Sequence, residues 1–138
     1  MKDLYLLDTN TIGYMVNGRS QAARLAMREH IEHSILAIST ISEAEVLYGL
    51  AKKPEAIRLR NTVETLFGVL KILPWDSNAA QAYGRLRAQL STEGKSLSHM
   101  DTLIAAHALA TNAILVTGDK AFQHVQALRP TLNWATDL

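Results

Sequence analysis

The sequence reads as an α/β protein built on a parallel sheet flanked by helices. Three observations predict this class. Short, nearly all-apolar runs alternate with helical patterns along the whole chain. The runs carry few polar residues, as parallel strands covered on both faces require. Acidic residues also stand just beyond the first and last of the clear runs, at the sheet edge where open α/β folds bind their ligands.

Leu4, Tyr5, Leu6 and Leu7 make the first strand, and Asp8, Thr9 and Asn10 turn the chain into a helix. Asn17, Gly18, Arg19 and Ser20 break that helix. Residues 21–32 set Ala22, Leu25 and Ala26 among polar neighbours and read as helix. Residues 34–38 are a second buried strand. Thr40 starts a helix that runs through Leu50 and ends at Lys52, Lys53 and Pro54, because the residue before a proline disfavours the helical conformation. Residues 55–70 form an amphipathic helix with Ile57, Val63, Leu66 and Leu70 among its apolar positions. Residues 71–73 are a short strand closed by Pro74. Asp76 or Ser77 caps the next helix, which runs to about Thr92 and stops at Glu93, Gly94 and Lys95. Residues 97–110 are helical, and Ile104, Ala105 and Ala106 suit them to tight packing. Residues 113–116 are the fourth strand, 121–128 a short helix and 131–134 a final edge strand. Without a repeat, low-complexity tract or linker, residues 1–138 read as a single domain.

The composition narrows the chemistry. A chain of 138 residues with 48% hydrophobic and 20% charged residues suits a soluble globular protein. It holds no cysteine, which excludes disulfides, thiolate zinc sites and cysteine nucleophiles. Asp8 ends the first apolar stretch too early for a signal peptide. No run approaches the roughly 20 apolar residues of a membrane span, so no membrane association and a cytoplasmic location are expected. The net charge of +1 gives no general basic footprint. Contact with nucleic acid would have to come from a local patch or through metal ions.

Four acids stand out: Asp8, Glu45, Asp101 and Asp119. Each has an ordinary reading as a helix cap. Ser42 with Glu45, and Ser98 with Asp101, resemble capping boxes, while Thr40 with Glu43 makes a competing box that leaves Glu45 freer. Caps, however, need not be acids; serine, threonine and asparagine serve without mutual repulsion. Four carboxylates on one sheet edge repel unless a cation joins them, and Mg²⁺ and Mn²⁺ prefer such oxygen ligands. Metal-dependent phosphoryl chemistry is the resulting expectation.

The histidines offer no rival site: His30 and His33 lie on a polar helix, His99 lies two residues before Asp101, and His107 and His124 read as partly buried or surface residues. No glycine-rich phosphate loop is present. Lys120 adjoins Asp119 and is the best phosphate contact, with Arg85 and Arg87 on the helix after Trp75 as further nucleic-acid candidates.

These residues resemble the motifs of the PIN-domain ribonucleases, in particular the VapC-type toxins of bacterial toxin–antitoxin pairs. Leu6 to Asn10 is similar to the family's opening motif. Ile41 to Gly49 is similar to the second, in which the acid four residues before the glycine is the functional one, and this selects Glu45. Asp101 to Ala108 and Leu115 to Phe122 are similar to the third and fourth. Gly118 departs from the polar residue frequent at its position. The resemblance covers essentially the whole chain. It implies a PIN-like parallel sheet of about five strands and Mg²⁺- or Mn²⁺-dependent endonucleolytic cleavage of RNA, transfer RNA among the substrates. It implies Asp8, Glu45, Asp101 and Asp119 as metal-binding acids, with Thr9, Asn10 and Thr117 in support. It also implies a homodimer held by a cognate VapB-like antitoxin whose tail enters the acidic groove.

Two other classes compete. A receiver-like phosphoacceptor also uses an acidic edge pocket and a late lysine, for which Lys120 would serve, but it needs paired acids after the first strand and Asp3 is too early. A PIN-like component of a DNA-binding regulatory complex is the second. This chain carries no basic arm or helix-turn-helix pattern, so the DNA contacts would come from the partner.

Overall fold

The computed structural model describes residues 2–138. The strands are β1 (Leu4–Leu7), β2 (Ile35–Ser39), β3 (Lys71–Leu73) and β4 (Ile114–Val116). The helices are α1 (Thr9–Val16), α2 (Gln21–His30), α3 (Thr40–Ala51), α4 (Ile57–Val69), α5 (Ser77–Thr92) and α6 (His99–Thr111). The strands are all parallel, in the order β3-β2-β1-β4. The chain therefore steps outward from β1 through β2 to β3, then returns to the other side of β1. That reversal leaves a crevice between the C-terminal ends of β1 and β4, the place where open α/β sheets bind ligands.

Strand alternation divides the core into two layers. Tyr5, Leu7, Leu36, Ile38, Ile114 and Val116 face Ile12 and Met15 of α1, Ala23 of α2 and Leu66 of α4. Leu6, Ala37 and Leu115, each fully buried, face Leu86 and Leu90 of α5 and Ile104, Ala105 and Ala108 of α6. Burial of both sheet faces explains the apolar strands, and the alanines bring α6 close to the sheet.

Three expectations are corrected. The sheet has four strands among the described residues, not about five. In place of the edge strand at 131–134, Leu132 makes one parallel bridge to Val116, donating to the Leu115 carbonyl at 3.1 Å and accepting from Thr117 at 2.8 Å. It does not extend, because Pro130 has no N–H to give and the Asn133 side chain turns back to accept from the Ala135 N–H at 3.0 Å. The expected helix at 121–128 is a single 3-10 turn, Lys120–His124. Its buried Phe122 and Val125, the buried residue that ends it, are three residues apart, the period of that helix. Finally, Ser39 rather than Thr40 caps α3, accepting from the Ile41 N–H at 3.1 Å.

Ser39 also meets Nδ1 of His107 at 2.8 Å, and both are buried. The contact ties the head of α3 to α6. Burial pushes the His107 pKa below its ordinary 6.5, against the pull of Asp76 in the other direction. The unfolded chain takes up a proton as pH falls through 6.5 while the folded protein resists it, so stability drops below that pH. Urea unfolding in steps from about pH 7.5 to 5.5 is expected to show this loss, and His107→Asn is expected to flatten it.

Candidate active site

Asp8 leaves β1 and is fixed at once. Its N–H donates to the Val116 carbonyl of β4 at 3.0 Å, and its Oδ1 accepts from the Thr11 N–H at 2.8 Å, capping α1. The carboxylate is buried, at 6% exposure. Burial raises its pKa; the hydroxyls of Thr117 and Thr11 and the Thr11 N–H draw it back, and the charge of Asp119 adds to the rise.

Asp119 lies beyond β4, across the crevice. Its N–H donates to Thr117 Oγ1 at 3.0 Å and its Oδ1 accepts from Ala121 N–H at 2.9 Å, capping the 3-10 turn. Asp101 sits in the first turn of α6, which Ser98 caps by accepting from the Asp101 N–H at 3.1 Å. Partial burial raises the Asp101 pKa, the Ser98 hydroxyl lowers it, and the charges of Asp119 and Asp8 raise it further. Two of the acids are thus caps, as the ordinary reading had it, and Asp8, Asp101 and Asp119 also lie within electrostatic reach of one another. The two roles coexist.

Glu45 joins from α3. Thr9 Oγ1 donates to Glu45 Oε1 at 2.7 Å and lies 2.9 Å from Ser42 Oγ. A hydroxyl has one proton to give; with the Thr9 proton on the carboxylate, Ser42 donates to Thr9. Ser42 is fully buried, so the chain Ser42–Thr9–Glu45 is anchored in the interior. Glu43 has no such tie among the described residues.

A cleft of about 370 Å³ opens beside this group, lined by Asp8, Asn10, Tyr14, Gly118, Asp119 and Asn133 among others. Asn10 is exposed on it, and Thr117 is buried beneath. Gly118 has a local reason: a Cβ there would stand 3.1 Å from Asn133 Oδ1. The sequence does not single out Tyr14 or Asn133, and it offers Ser42 only as a cap, not as the support of Thr9. Tyr14 lies one turn beyond Asn10 and Ser42 three residues before Glu45, which are usable signals; Asn133 has none, because Leu132 brings it in by a single bridge. Lys120 is exposed beside Asp119. Arg85 lines a different hollow, between α5, α6 and the 3-10 turn, and Arg87 packs on Tyr83.

The four acids offer hard oxygen donors, and the raised pKa values of Asp8 and Asp101 reflect burial and repulsion that a cation would relieve. In chemistry and charge the set fits Mg²⁺ or Mn²⁺. Its side chains are drawn wider than a closed shell, since no three acidic or histidine side chains among the described residues stand together as a metal cluster.

The PIN domain model matches residues 5–128. The chain is 34% identical to Ribonuclease VapC2 of Haemophilus influenzae, over 94% of this chain and 97% of that protein. It is 28% identical to the tRNA(fMet)-specific endonuclease VapC of Shigella flexneri, over 95% and 98%. The structure resembles VapBC2 from Rickettsia felis bound to a DNA fragment from its promoter, with a TM-score of 0.87 and 29% identity over 94% of this chain and 97% of that one. It also resembles DNA-bound VapBC from Salmonella typhimurium, with a TM-score of 0.86 and 27% identity over 97% and 99%.

The raised pKa of Asp8 has a thermodynamic consequence. The folded protein holds the Asp8 proton more tightly than the unfolded chain, so without metal the group costs stability as pH rises from 3.8 through the raised value. Asparagine caps a helix as well as aspartate does. In metal-free buffer at neutral pH, Asp8→Asn is expected to melt roughly 2 to 5 °C above wild type, whereas Asp8→Ala loses the cap and gains less. Thermal melts in EDTA check this; a large fall in Asp8→Asn would mean that the carboxylate serves the fold alone.

Proposed function

Because the chain belongs to the PIN-domain family, we propose that it is a metal-dependent endoribonuclease and the toxin of a toxin–antitoxin pair. The observation that carries this reading is the meeting of Asp8 and Asp119 at the crevice between β1 and β4, with Asp101 in electrostatic reach. The relatives named as ribonucleases support RNA as substrate, and the name tRNA(fMet)-specific endonuclease makes transfer RNA the first substrate to try.

Asp8 and Asp101 would hold Mg²⁺ or Mn²⁺ most directly, with Glu45 and Asp119 completing the set. When bound, such an ion supplies charge neutralisation at the phosphate and a lowered pKa for water. The chain's own residues do the rest. Thr9 and Ser42 aim Glu45, and Thr117 fixes the loop that carries Asp119 through its N–H. Asn10 lines the cleft and Lys120 offers a positive charge beside it. In the reaction, a water oxygen bonds to phosphorus as the bond to the 3′ oxygen breaks. The products are a 5′-phosphate and a 3′-hydroxyl: of the water's two protons, one ends on the leaving 3′ oxygen and the other passes to solvent. The 2′-hydroxyl takes no part, so no 2′,3′-cyclic phosphate is formed.

The VapBC complexes among the structural neighbours support a VapB-like antitoxin as partner, and the working unit proposed with it is a homodimer. Two of these neighbours are bound to DNA, which favours a second role in a DNA-binding regulatory complex. With a net charge of +1, this chain would leave most of the DNA contact to its partner.

Purified protein is expected to cut cellular RNA into discrete fragments in Mg²⁺ or Mn²⁺ and not in EDTA. Asp8→Asn and Asp101→Asn are expected to lower the rate about 100-fold or more. Thr9→Val is expected to lower it about 10-fold by releasing Glu45, with Thr9→Ser restoring most of it. Cleavage that persists in EDTA, or cyclic phosphate ends, would defeat the mechanism.

A further inference from the structure

The edge of the sheet that bears the acids also bears an aromatic surface. All four strands are parallel, so Trp75, two residues beyond β3, emerges on the same edge as Asp8 and Asp119. Its N–H donates to Thr40 Oγ1 at 3.1 Å, at the head of the helix that carries Glu45. Its indole Nε1–H donates to the Leu103 carbonyl at 2.9 Å, two residues past Asp101. Tyr83 stands edge-on to the indole, with centroids 6.1 Å apart and planes at 73°. Arg87 lies 5.9 Å from the Tyr83 ring centroid and donates to its hydroxyl at 2.9 Å.

These three residues are not filling the interior. Trp75 and Tyr83 belong to neither apolar core layer and are half-buried, and Arg87 is exposed. A large aromatic ring kept out of the core gains little from packing there. Here its only polar atom is bonded to a backbone carbonyl, which locks the ring in place. A locked indole, a tyrosine beside it and a guanidinium over the tyrosine make a rigid, positively charged aromatic surface. Its anchors run to the two helices that carry Glu45 and Asp101.

We propose that Trp75, Tyr83 and Arg87 form a stacking surface for an unpaired base of a single-stranded RNA segment lying across the acid edge. The proposal rests on the ribonuclease reading and specifies the form of its substrate. Bases stack on such surfaces with little regard to sequence, and arginine adds attraction for the π-face and the backbone.

The test is binding without cleavage. Wild-type protein in EDTA is titrated with an oligouridylate of about ten nucleotides and with an abasic ribose-phosphate strand of the same length. The base-bearing strand is expected to bind about tenfold more tightly. That preference should vanish in Trp75→Ala and in Tyr83→Leu and survive in Trp75→Phe. Tyr83→Leu breaks none of the backbone anchors, so it keeps the test valid should Trp75→Ala fold poorly. The protein has two tryptophans, and Trp134 is 5% exposed; quenching of indole emission by the oligouridylate therefore reports contact at Trp75. A purely structural role would leave the preference for bases unmoved. Wild-type protein that cleaves RNA in Mg²⁺ yet shows no preference for bases, or variants that keep the preference, would overturn the stacking surface and leave the nuclease intact. Protein that neither binds nor cleaves RNA would overturn both.

Discussion

Asp8 has no freedom to leave the place where it stands, and the rest of the site is arranged around that constraint. Its backbone is bonded to β4 and its carboxylate closes the first turn of α1, so a charge-bearing group is held at 6% exposure at the reversal point of the sheet. Two more carboxylates lie close enough to feel it. A fold selected for stability alone would put serine or asparagine there, since either caps a helix without the repulsion. The buried charge is what makes this capped helix a candidate site.

The neighbours are placed by ordinary means. Asp119 arrives because β4 pairs with β1, so the residues that follow both strands share one crevice. Asp101 arrives because α6 packs its alanines on the sheet with its first turn at that edge. Glu45 is brought in by a hydroxyl on the residue after Asp8, backed by a serine in the interior. The His107–Ser39 contact and the two Trp75 hydrogen bonds link α3 and α6, so the helices that carry two of the acids are tied to the same few residues.

Much of this is legible in the sequence. The apolar runs marked the four strands, because strands covered on both faces carry no other pattern. Asp8 and Asp119 are legible because they follow two of those runs, while Glu45 and Asp101 open helical patterns; a Thr40–Glu43 box leaves Glu45 the freer acid, and the resemblance to the PIN motif selects it. What was hidden depended on contacts distant in sequence. Ser39 caps α3 as the last residue of β2, one beyond the strand that the pattern marks, and its partner His107 is 68 residues away. Asn133 reaches the cleft through one bridge at Leu132 that no local pattern encodes. The 3-10 turn after Asp119 is too short for helical periodicity to separate it from an α-helix. Arg85 and Arg87 looked alike on a helix face, and only the structure sends one to a hollow away from the cleft and the other to Tyr83.

The central claim is that these carboxylates form one cation site. Calorimetric titration of Mn²⁺ into wild-type protein, Asp8→Asn and Asp101→Asn tests it most directly, repeated at mildly acidic and neutral pH. The account predicts saturable binding that weakens about tenfold or more in each variant. It also predicts proton release in the wild type that grows as pH is lowered, because binding a cation favours the charged carboxylates whose pKa burial has raised. Absence of saturable binding, or binding that neither substitution alters, would contradict it and leave Asp8 and Asp119 as helix caps alone.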